Sequence, residues 1–283
     1  MVENRPFLTW YSHFVLIVGV AIVAFPVWMT FVASTHDQAT LLRAPIPLLP
    51  GSRLFENYRA VISQGYNQGS GGIPVATILF NSLVMALGVA LGKIAISIIS
   101  AFAIVYFRFP LRRTCFWAIF VTLMLPVEVR IVPTYGVVAA LGMVDSYAGL
   151  IIPIIASATA TFLFRQFFLS VPDELAEAAR VDGAGPMRFF RDILLPMSRT
   201  SMAALFVIQF IYGWNQYLWP LLITTKQSFY TAVMTVSRQA IVVDTVPSWN
   251  LLMAMAMLTM LPPVLVVVIM QRQFVRGLVE TEK

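Results

Sequence analysis

Six long apolar runs, separated by shorter polar connections, dominate this chain. Each run can cross a hydrocarbon core, which takes about 20 apolar residues in helical conformation. We predict membrane-spanning helices over residues 13–33, 74–107, 115–141, 147–168, 202–223 and 249–270. Prolines inside several runs, Pro126, Pro153 and Pro220 among them, predict bent helices, because proline removes a backbone hydrogen bond. The pattern is typical of an all-α, polytopic membrane protein, with residues 1–283 forming a single transmembrane domain.

Composition independently indicates a membrane protein. Hydrophobic residues make up 59% of the chain and charged residues only 11%, with a mean hydropathy of +0.82. This leaves too little polar surface to cover a soluble globule of 283 residues. The net charge of +6 does not indicate nucleic acid, because the basic residues lie at the ends of apolar runs and form no aromatic-interleaved patch. We expect the lipid bilayer, and no nucleic acid, as a partner.

The basic residues predict the orientation in the membrane. If the N-terminus is cytoplasmic, twelve Lys and Arg fall on the cytoplasmic side, counting Arg165 at the cytoplasmic end of its span; five fall on the other side, and Lys93 and Arg130 lie deeper within spans. Lys and Arg concentrate in cytoplasmic loops, so both termini are expected in the cytoplasm. The first apolar run is longer than a signal peptide's and no small-residue cleavage site closes it, so we expect a retained span.

A polar connection over residues 169–201, predicted to be cytoplasmic, has features that a simple link between spans does not need. Ala176, Ala179 and Gly183 recur at helical spacing, so a helix here would present one nearly smooth face. Another backbone or groove can approach such a face closely, as in helix-in-groove binding. An ordinary polar loop between spans is the alternative.

The motif within this connection is specific. E-A-A, then G four residues on, then I-x-L-P resembles the signature loop of ATP-binding-cassette (ABC) importer permeases, and W-N-x-Y-x-x-P at residues 214–220 resembles another stretch of that family. The similarity covers nearly the whole chain and is closest to the carbohydrate-uptake, maltodextrin-type branch. It implies a type I ABC importer permease fold with six transmembrane helices, in which this loop is a coupling helix that inserts into a cleft of a cytoplasmic ATPase. The residues that inherit the role by resemblance are Glu177, Ala178, Ala179, Asp182 and Gly183.

The same resemblance implies partners. They are a homologous second permease subunit, two cytoplasmic ATPase subunits and a periplasmic solute-binding protein, assembled in a bacterial inner membrane. The closest stretch to a phosphate-binding loop, residues 88–94, lacks the right spacing, and its Gly88 and Gly92 indicate close helix packing instead. No His or Cys cluster has metal-ligand spacing. We expect no catalytic residue, cofactor or metal here, with ATP and magnesium held by the partner ATPase.

Charged residues inside predicted spans are candidates for the transport pathway, because a charge at the bilayer centre costs at least about 3 kcal/mol. Lys93, Glu128 and Arg130 qualify. An arginine at position 130 departs from what neutral-sugar members of the resembled branch commonly carry, and a guanidinium binds phosphate through two parallel hydrogen bonds. An ion pair of Glu128 with Arg130 or Lys93 that touches no substrate is the alternative.

Asn215 and Gln216 complete the set of pathway candidates, since both side chains can hydrogen-bond substrate hydroxyls. An aromatic belt with polar inter-helix bonds is the alternative for this stretch. The resemblance and Arg130 together lead us to expect sn-glycerol 3-phosphate as the substrate, with a neutral sugar or an oligosaccharide as the alternative. An ion-coupled secondary transporter is the alternative of another class, in which the Glu177 loop would have no role.

Overall fold

The computed structural model describes residues 6–65, 73–122, 125–241 and 247–279; of Pro6, Gln64, Val127, Glu128 and residues 274–279 it describes the backbone alone. All regular secondary structure in these ranges is helical, which confirms the all-α class. The α-helices of the described ranges are α1 Pro6–Ser34, α2 Gln38–Leu41, α3 Leu54–Gln64, α4 Val75–Tyr106, α5 Arg112–Val121, α6 Val127–Ala140, α7 Tyr147–Ile151, α8 Ala158–Ser170, α9 Asp173–Val181, α10 Pro186–Phe189, α11 Leu195–Met197, α12 Arg199–Trp214, α13 Leu218–Ile223, α14 Ala232–Ala240 and α15 Trp249–Val279. Short 3₁₀ segments cover Ile152–Ile154 and Gln227–Phe229, and a π-helical segment covers Phe190–Leu194.

Three helices of the described part, α1, α4 and α15, are long and apolar enough to cross a membrane. Two further pairs satisfy the same criteria when taken together, although each pair is bent. Tyr147–Ile154 meets Ala158–Ser170 at 50°, and Pro186–Met197 meets Arg199–Trp214 at 70°. The described residues therefore hold between three and five candidate spans.

Proline accounts for part of the bending. The runs predicted over 115–141, 147–168 and 202–223 each consist of more than one helix. Pro126 stands in extended conformation immediately before α6 (φ −56°, ψ 143°), and Pro153 lies in the 3₁₀ segment after α7. The prolines inside α1 and α15 leave those helices continuous, so proline permits a break without dictating one.

The break before α8 keeps its backbone groups hydrogen-bonded. The carbonyl oxygen of Ser157 accepts from the hydroxyls of Thr161 at 2.9 Å and Ser97 at 3.2 Å. The Ser157 hydroxyl in turn accepts from the Ala160 backbone N–H and caps α8. Hydroxyl side chains are the usual means of satisfying backbone groups freed inside a membrane helix.

The chain forms two compact units, the first comprising Met1–Thr77 and Val236–Met260. In this unit, Asn57 donates from Nδ2 to the carbonyl oxygens of Ser34 and His36, both at 2.8 Å, and accepts from Asn250. The Gln38 side chain donates from Nε2 to the Pro247 carbonyl oxygen and accepts at Oε1 from the Trp249 N–H. These bonds connect the short helix α2 to the start of α15.

The second unit comprises Ile78–Thr235 and Leu261–Lys283 and holds two apolar clusters. The first, which we term the phenylalanine cluster, contains Ile94, Ile98, Ala101, Phe102, Ala160, Phe164, Phe168, Val171, Ala179, Phe189, Leu194 and Leu205. The second, the tryptophan cluster, contains Met85, Val89, Ile131, Val138, Leu150, Trp219 and Ile223. Helix α4 contributes to both clusters and is the central helix of this unit.

Glycines let other helices approach α4 closely. A Cβ added to Gly88 would lie 2.6 Å from Ile151 Cδ1, and one added to Gly92 would lie 2.7 Å from Ile155 Cγ2. Real Cβ atoms essentially never approach a neighbour this closely. The close helix packing predicted for this glycine pair is thus confirmed.

Two polar side chains, Asn81 and Asp145, hold the connections between these helices in place. Asn81 donates to the carbonyl oxygens of Ser228 at 2.7 Å and Tyr230 at 3.0 Å, and accepts from the Tyr147 hydroxyl at 2.7 Å. Because Asn81 is buried, its three bonds fix the residue 228–230 connection on the start of α4.

Asp145, in the turn between α6 and α7, holds the connection after α13. Its carboxylate accepts from the Thr225 N–H and hydroxyl and from the Lys226 N–H. Partial burial raises the pKa of Asp145, but these hydrogen bonds and the charge of Lys226 outweigh it and hold the pKa below the usual 3.8.

Candidate functional site

A cavity of about 160 Å³ lies within the second unit. Its walls come from α4, α6, the residues of the break before α8, the end of α12 and the start of α13. The lining residues are Lys93, Arg130, Ile131, Thr134, Pro153, Ile154, Ala156, Tyr212, Gln216, Leu218 and Trp219. The fold therefore brings Lys93, Arg130 and Gln216, three of the predicted pathway residues, to one cavity from three different parts of the chain.

Lys93 is the most deeply placed charge of this cavity. It is only 6% exposed, and its Nζ lies 3.5 Å from the centroid of the Tyr212 ring. An ammonium over an aromatic face gains about 2 kcal/mol when both are desolvated. That gain offsets only part of the desolvation of a buried ammonium, so Lys93 retains a strong attraction for an anion.

Arg130 lines the same cavity from α6, one helical turn before Thr134. The Thr134 hydroxyl donates to the Arg130 backbone carbonyl oxygen at 2.7 Å, a bond within α6 that does not involve the guanidinium. Among the described side chains, no carboxylate forms an ion pair with Lys93 or Arg130. Two like charges in one cavity repel each other and favour a negatively charged occupant.

The other predicted pathway residues have different placements. Gln216 lines the cavity and donates from Nε2 to Tyr212 O at 3.1 Å, so its Oε1 remains an acceptor for a hydroxyl. Asn215 is exposed and does not line the cavity. The side chain of Glu128 lies outside the described part of the chain. The ion pair of Glu128 with either cation therefore stays a prediction.

The cavity has room for a small molecule, with a volume of about 160 Å³. The cavity thus offers two cations, a hydroxyl and an amide acceptor to a small, hydroxylated anion.

The segment over residues 169–201 contains a short amphipathic helix with well-defined ends. Helix α9 has Asp173 and Glu174 in its first turn and Arg180 in its last, which complements the helix dipole. At its end, the Gly183 N–H donates to Arg180 O and the Ala184 N–H donates to Ala179 O. These two bonds, with Gly183 at φ +72°, form a Schellman motif. A glycine is favoured there because other residues rarely adopt that conformation.

The two faces of α9 differ. Ala179 is 5% exposed and belongs to the phenylalanine cluster, and Ala176 packs against the same cluster. The part of the smooth face formed by Ala176 and Ala179 is therefore occupied by this chain's own side chains, whereas Gly183 is exposed. Glu177, Ala178, Asp182 and Gly183 are exposed on the outside, together with Val181, which is 88% exposed. Four of the five predicted coupling residues are accessible, and the fifth is a packing residue.

Sequence reasoning missed Tyr212 and Thr134 as members of the cavity. Both lie one turn from a predicted residue, at four positions before Gln216 and four after Arg130, and i, i+4 positions share a helix face. This spacing could have identified both residues as neighbours of the predicted site. In the part of the chain that the structure describes, no three His, Cys, Asp or Glu residues gather as a metal site would need.

A family comparison defines the class of protein. Residues 93–280 match the family described as "Binding-protein-dependent transport system inner membrane component". The chain belongs to this family, and it is a multi-pass inner-membrane permease subunit of an ABC importer rather than an enzyme. The match begins at Lys93 and includes the other pathway candidates and α9. Membership in a binding-protein-dependent family removes the ion-coupled secondary transporter as an alternative.

Relatives similar over their full length carry a common description. The chain is 56% identical over 283 residues to the sn-glycerol-3-phosphate transport system permease protein UgpE of Rhizobium meliloti (strain 1021), with all of both chains covered. It is 57% identical, again over all of both chains, to the protein of that name from Brucella melitensis biotype 1, and 56% to that of Escherichia coli O157:H7.

A solved structure has the same fold. The crystal structure of a bacterial ABC transporter involved in the import of the acidic polysaccharide alginate contains a chain that matches with a TM-score of 0.82 and 18% identity. The match covers 97% of this chain and 99% of that one. At this identity the likeness concerns the fold, which is that of an ABC transporter permease.

Proposed function

We propose that this chain forms one half of the transmembrane pathway of an ATP-driven, binding-protein-dependent importer of sn-glycerol 3-phosphate. The observation that supports this substrate is that Lys93 and Arg130 line the same small cavity. Among the described side chains, no carboxylate forms an ion pair with either of them. The names of the full-length relatives point to the same phosphate ester. Both cations would contact the phosphate, and Gln216 and Thr134 would contact the glycerol hydroxyls or ester oxygens.

Uptake of labelled sn-glycerol 3-phosphate tests this proposal, with labelled maltose as the comparison. Cells that lack the chain are complemented with the unmodified protein, Arg130→Gln or Lys93→Gln. Each substitution removes a charge-assisted hydrogen bond and leaves the phosphate less well neutralised, which costs about 1.5–3 kcal/mol and predicts at least tenfold weaker uptake at limiting substrate. Asn215→Ala, on the same connection as Gln216 but outside the cavity, is the matched control and should transport normally.

Two outcomes would contradict the proposed substrate and its contacts. If Arg130→Gln transports sn-glycerol 3-phosphate with unchanged apparent affinity, Arg130 does not contact the phosphate. If only maltose uptake depends on the chain, the importer carries a neutral sugar and both cations have a structural role.

For topology, we infer six spans with both termini in the cytoplasm. Helices α1, α4 and α15 would each be one span, and the pairs α5 with α6, α7 with α8, and α12 with α13 would form three broken spans. The single domain over residues 1–283, with residues 169–201 as its cytoplasmic coupling loop, goes with this arrangement. The distribution of Lys and Arg supports the orientation.

Cysteine labelling tests this topology. The one native cysteine, Cys115, is exchanged for serine, and single cysteines replace Met187 or Lys226, both exposed. An impermeant maleimide should label position 226 in intact spheroplasts and position 187 only after the membrane is opened. The opposite pattern would invert the orientation.

The exposed face of α9 would dock on the ATPase. Glu177, Ala178, Asp182 and Gly183 would form the contact, with Ala179 anchoring the helix from behind. The partners would be a homologous second permease, two cytoplasmic ATPase subunits that hold ATP and magnesium, and a periplasmic solute-binding protein. This chain would contribute no covalent chemistry, and closure of the ATPases would move its spans as bodies around the cavity.

Charge reversal on α9 tests the docking. Glu177→Lys should abolish uptake and reduce the ATPase that copurifies with the permease by at least about tenfold, since an unpaired interfacial charge costs about 2–5 kcal/mol. Glu174→Lys makes the same change on an exposed residue in the first turn of the helix and should retain both. Equal behaviour of the two variants would place the contact elsewhere.

A further inference from the structure

A second and larger cavity in the second unit is not explained by transport. Its volume is about 510 Å³, and it lies where the end of α4 meets α5 and α8. Three arginines, Arg112, Arg113 and Arg165, line it together with aromatic and aliphatic side chains. We term it the arginine pocket.

The charges of the arginine pocket are not neutralised by protein. No Asp or Glu lines it, and among the described side chains none of its three arginines forms an ion pair with a carboxylate. Arg112 donates to the Phe107 carbonyl oxygen at 3.4 Å. Arg165 stacks on Phe116, with its Cζ 4.3 Å from the ring centroid. A guanidinium has five donors in a planar fork, so most of these donors remain for an anion.

The other walls of the pocket are apolar. The Phe120 and Phe162 rings meet at 5.9 Å between centroids, and Ile104 and Val105 of α4 lie beside them. At the rim, Trp117 is 58% exposed and Leu169 is 53% exposed. A soluble anion gains nothing from such walls, whereas an amphiphile with an anionic head and a hydrocarbon tail matches both halves.

The elements around the pocket place it at the membrane surface. Its α4 wall is the last turn of an apolar helix, Val75–Tyr106, that is long enough to cross the membrane. Arg112 and Arg113 begin α5 directly after the connection that follows α4. A row of basic residues at the end of such a helix lies at the headgroup level, where anionic lipids attract it.

We propose that the arginine pocket binds the head group of an anionic phospholipid. The phosphate would lie among Arg112, Arg113 and Arg165, and an acyl chain would run along Trp117 and Leu169. The proposal rests on the chain being a membrane protein and is independent of the transported substrate. It commits to a lipid, and a soluble phosphate is an outcome that the test separates.

Quenching of Trp117 fluorescence by brominated lipids measures occupancy. The assembled importer is reconstituted in phosphatidylcholine nanodiscs with increasing fractions of phosphatidylglycerol or phosphatidylcholine brominated in the acyl chains. A Trp117→Phe protein gives the signal of the other tryptophans, which is subtracted. Brominated phosphatidylglycerol should quench Trp117 at a several-fold lower mole fraction than brominated phosphatidylcholine.

Removing one arginine should weaken this preference. A basic residue near an anionic surface contributes about a fivefold preference, so Arg113→Gln or Arg112→Gln should reduce the ratio of the two half-quenching fractions by about that factor. Arg108→Gln removes the same charge from the connection just before α5, outside the pocket, and should leave the ratio unchanged. Arg113 is exposed, so its variant is expected to fold and assemble normally.

Three results would overturn the proposal. Equal quenching by the two brominated lipids would show that the pocket does not select anionic lipid. An equal loss of preference in Arg108→Gln and Arg113→Gln would show a diffuse surface charge rather than a site. Loss of the preference on adding millimolar inorganic phosphate, with sodium chloride of equal ionic strength as control, would assign the pocket to a soluble anion.

Discussion

Exchanging Gly92 for alanine tests whether the cavity depends on the close packing of α4 against the break before α8. Gly92 precedes the buried Lys93, and the Cβ of an alanine would stand 2.7 Å from Ile155 Cγ2. Ordinary contact begins at 3.4 Å, so Ile155 would have to retreat by about 0.7 Å. The neighbouring residues Ile154 and Ala156 line the cavity, so the strain acts directly on the site.

The expected magnitude follows from this overlap. Inserting one methyl group into a well-packed contact costs about 1–3 kcal/mol, and the better helix propensity of alanine returns up to about 1 kcal/mol. We expect Gly92→Ala to lose about 1–2 kcal/mol of unfolding free energy, which corresponds to a lowering of Tm by roughly 2–8 °C for a chain of this size.

Gly136→Ala is the matched control, because a Cβ at Gly136, inside α6, would meet nothing within 4 Å. The propensity gain then acts alone, and the protein should be unchanged or about 1 kcal/mol more stable. Thermal unfolding in one detergent gives the two Tm values, and substrate uptake gives the effect on the cavity. If Gly92→Ala matches Gly136→Ala in Tm and transports normally, the inferred steric dependence is wrong.

Three further predictions follow from named contacts. The pKa of Asp145 is lowered in the fold, so the stabilisation from its carboxylate is present above the usual pKa of 3.8 and is lost as the pH falls through the folded pKa. As the pH is lowered through this range, the Tm of Asp145→Asn should therefore fall less than the Tm of the unmodified protein. An equal fall of the two Tm values would contradict this. Gly183→Ala places a Cβ at φ +72°, which costs about 1–2 kcal/mol, so limited proteolysis should cut the residue 169–201 segment faster and Tm should fall about as much as in Gly92→Ala. Asn81→Leu removes three buried hydrogen bonds and should lower the unfolding free energy by about 3 kcal/mol, measured as a lower Tm, with Asn215→Leu, on an exposed residue, as the control that should not.

Membrane spans are the part of the fold that a sequence shows most directly. The apolar runs over residues 13–33, 74–107 and 249–270 correspond to the continuous helices α1, α4 and α15. Hydrocarbon requires every backbone group to be satisfied within the segment, so an uninterrupted apolar run becomes an uninterrupted helix. The spacing of Gly88 and Gly92 likewise predicted a contact that the fold contains.

Other features depend on partners distant in the sequence. Proline identifies where a helix can break, but whether it breaks depends on groups such as the Ser97 hydroxyl, which lies 60 positions from the carbonyl that it satisfies. The small residues of α9 predicted a close approach, and Ala176 and Ala179 do pack against other helices. Periodicity does not tell whether an approaching surface belongs to the same chain. From the sequence alone, Asp145 looks like a solvated loop position, because the N–H and hydroxyl groups that donate to it lie 80 positions away.

Lys93 and Arg130 were conspicuous because charge is rare in apolar runs. Their presence in one cavity was nonetheless only one of several arrangements that the sequence allowed. Periodicity relates residues along one helix, and these two stand on α4 and α6. The contact of Lys93 with the Tyr212 ring had no counterpart in the sequence analysis for the same reason.

The inward position of Ala179 has a mechanical consequence. Ala179 belongs to the same buried cluster as Phe164 and Phe168 of α8, Phe102 of α4 and Leu205 of α12. Close-packed interiors are nearly incompressible, so a displacement of α9 is passed on to all three helices with little loss. The Schellman turn at Gly183 keeps the end of α9 from unwinding under load. A force applied to this short helix would thus reach the other helices of the phenylalanine cluster, and the fraction of the displacement that they receive depends on the stiffness of this packing.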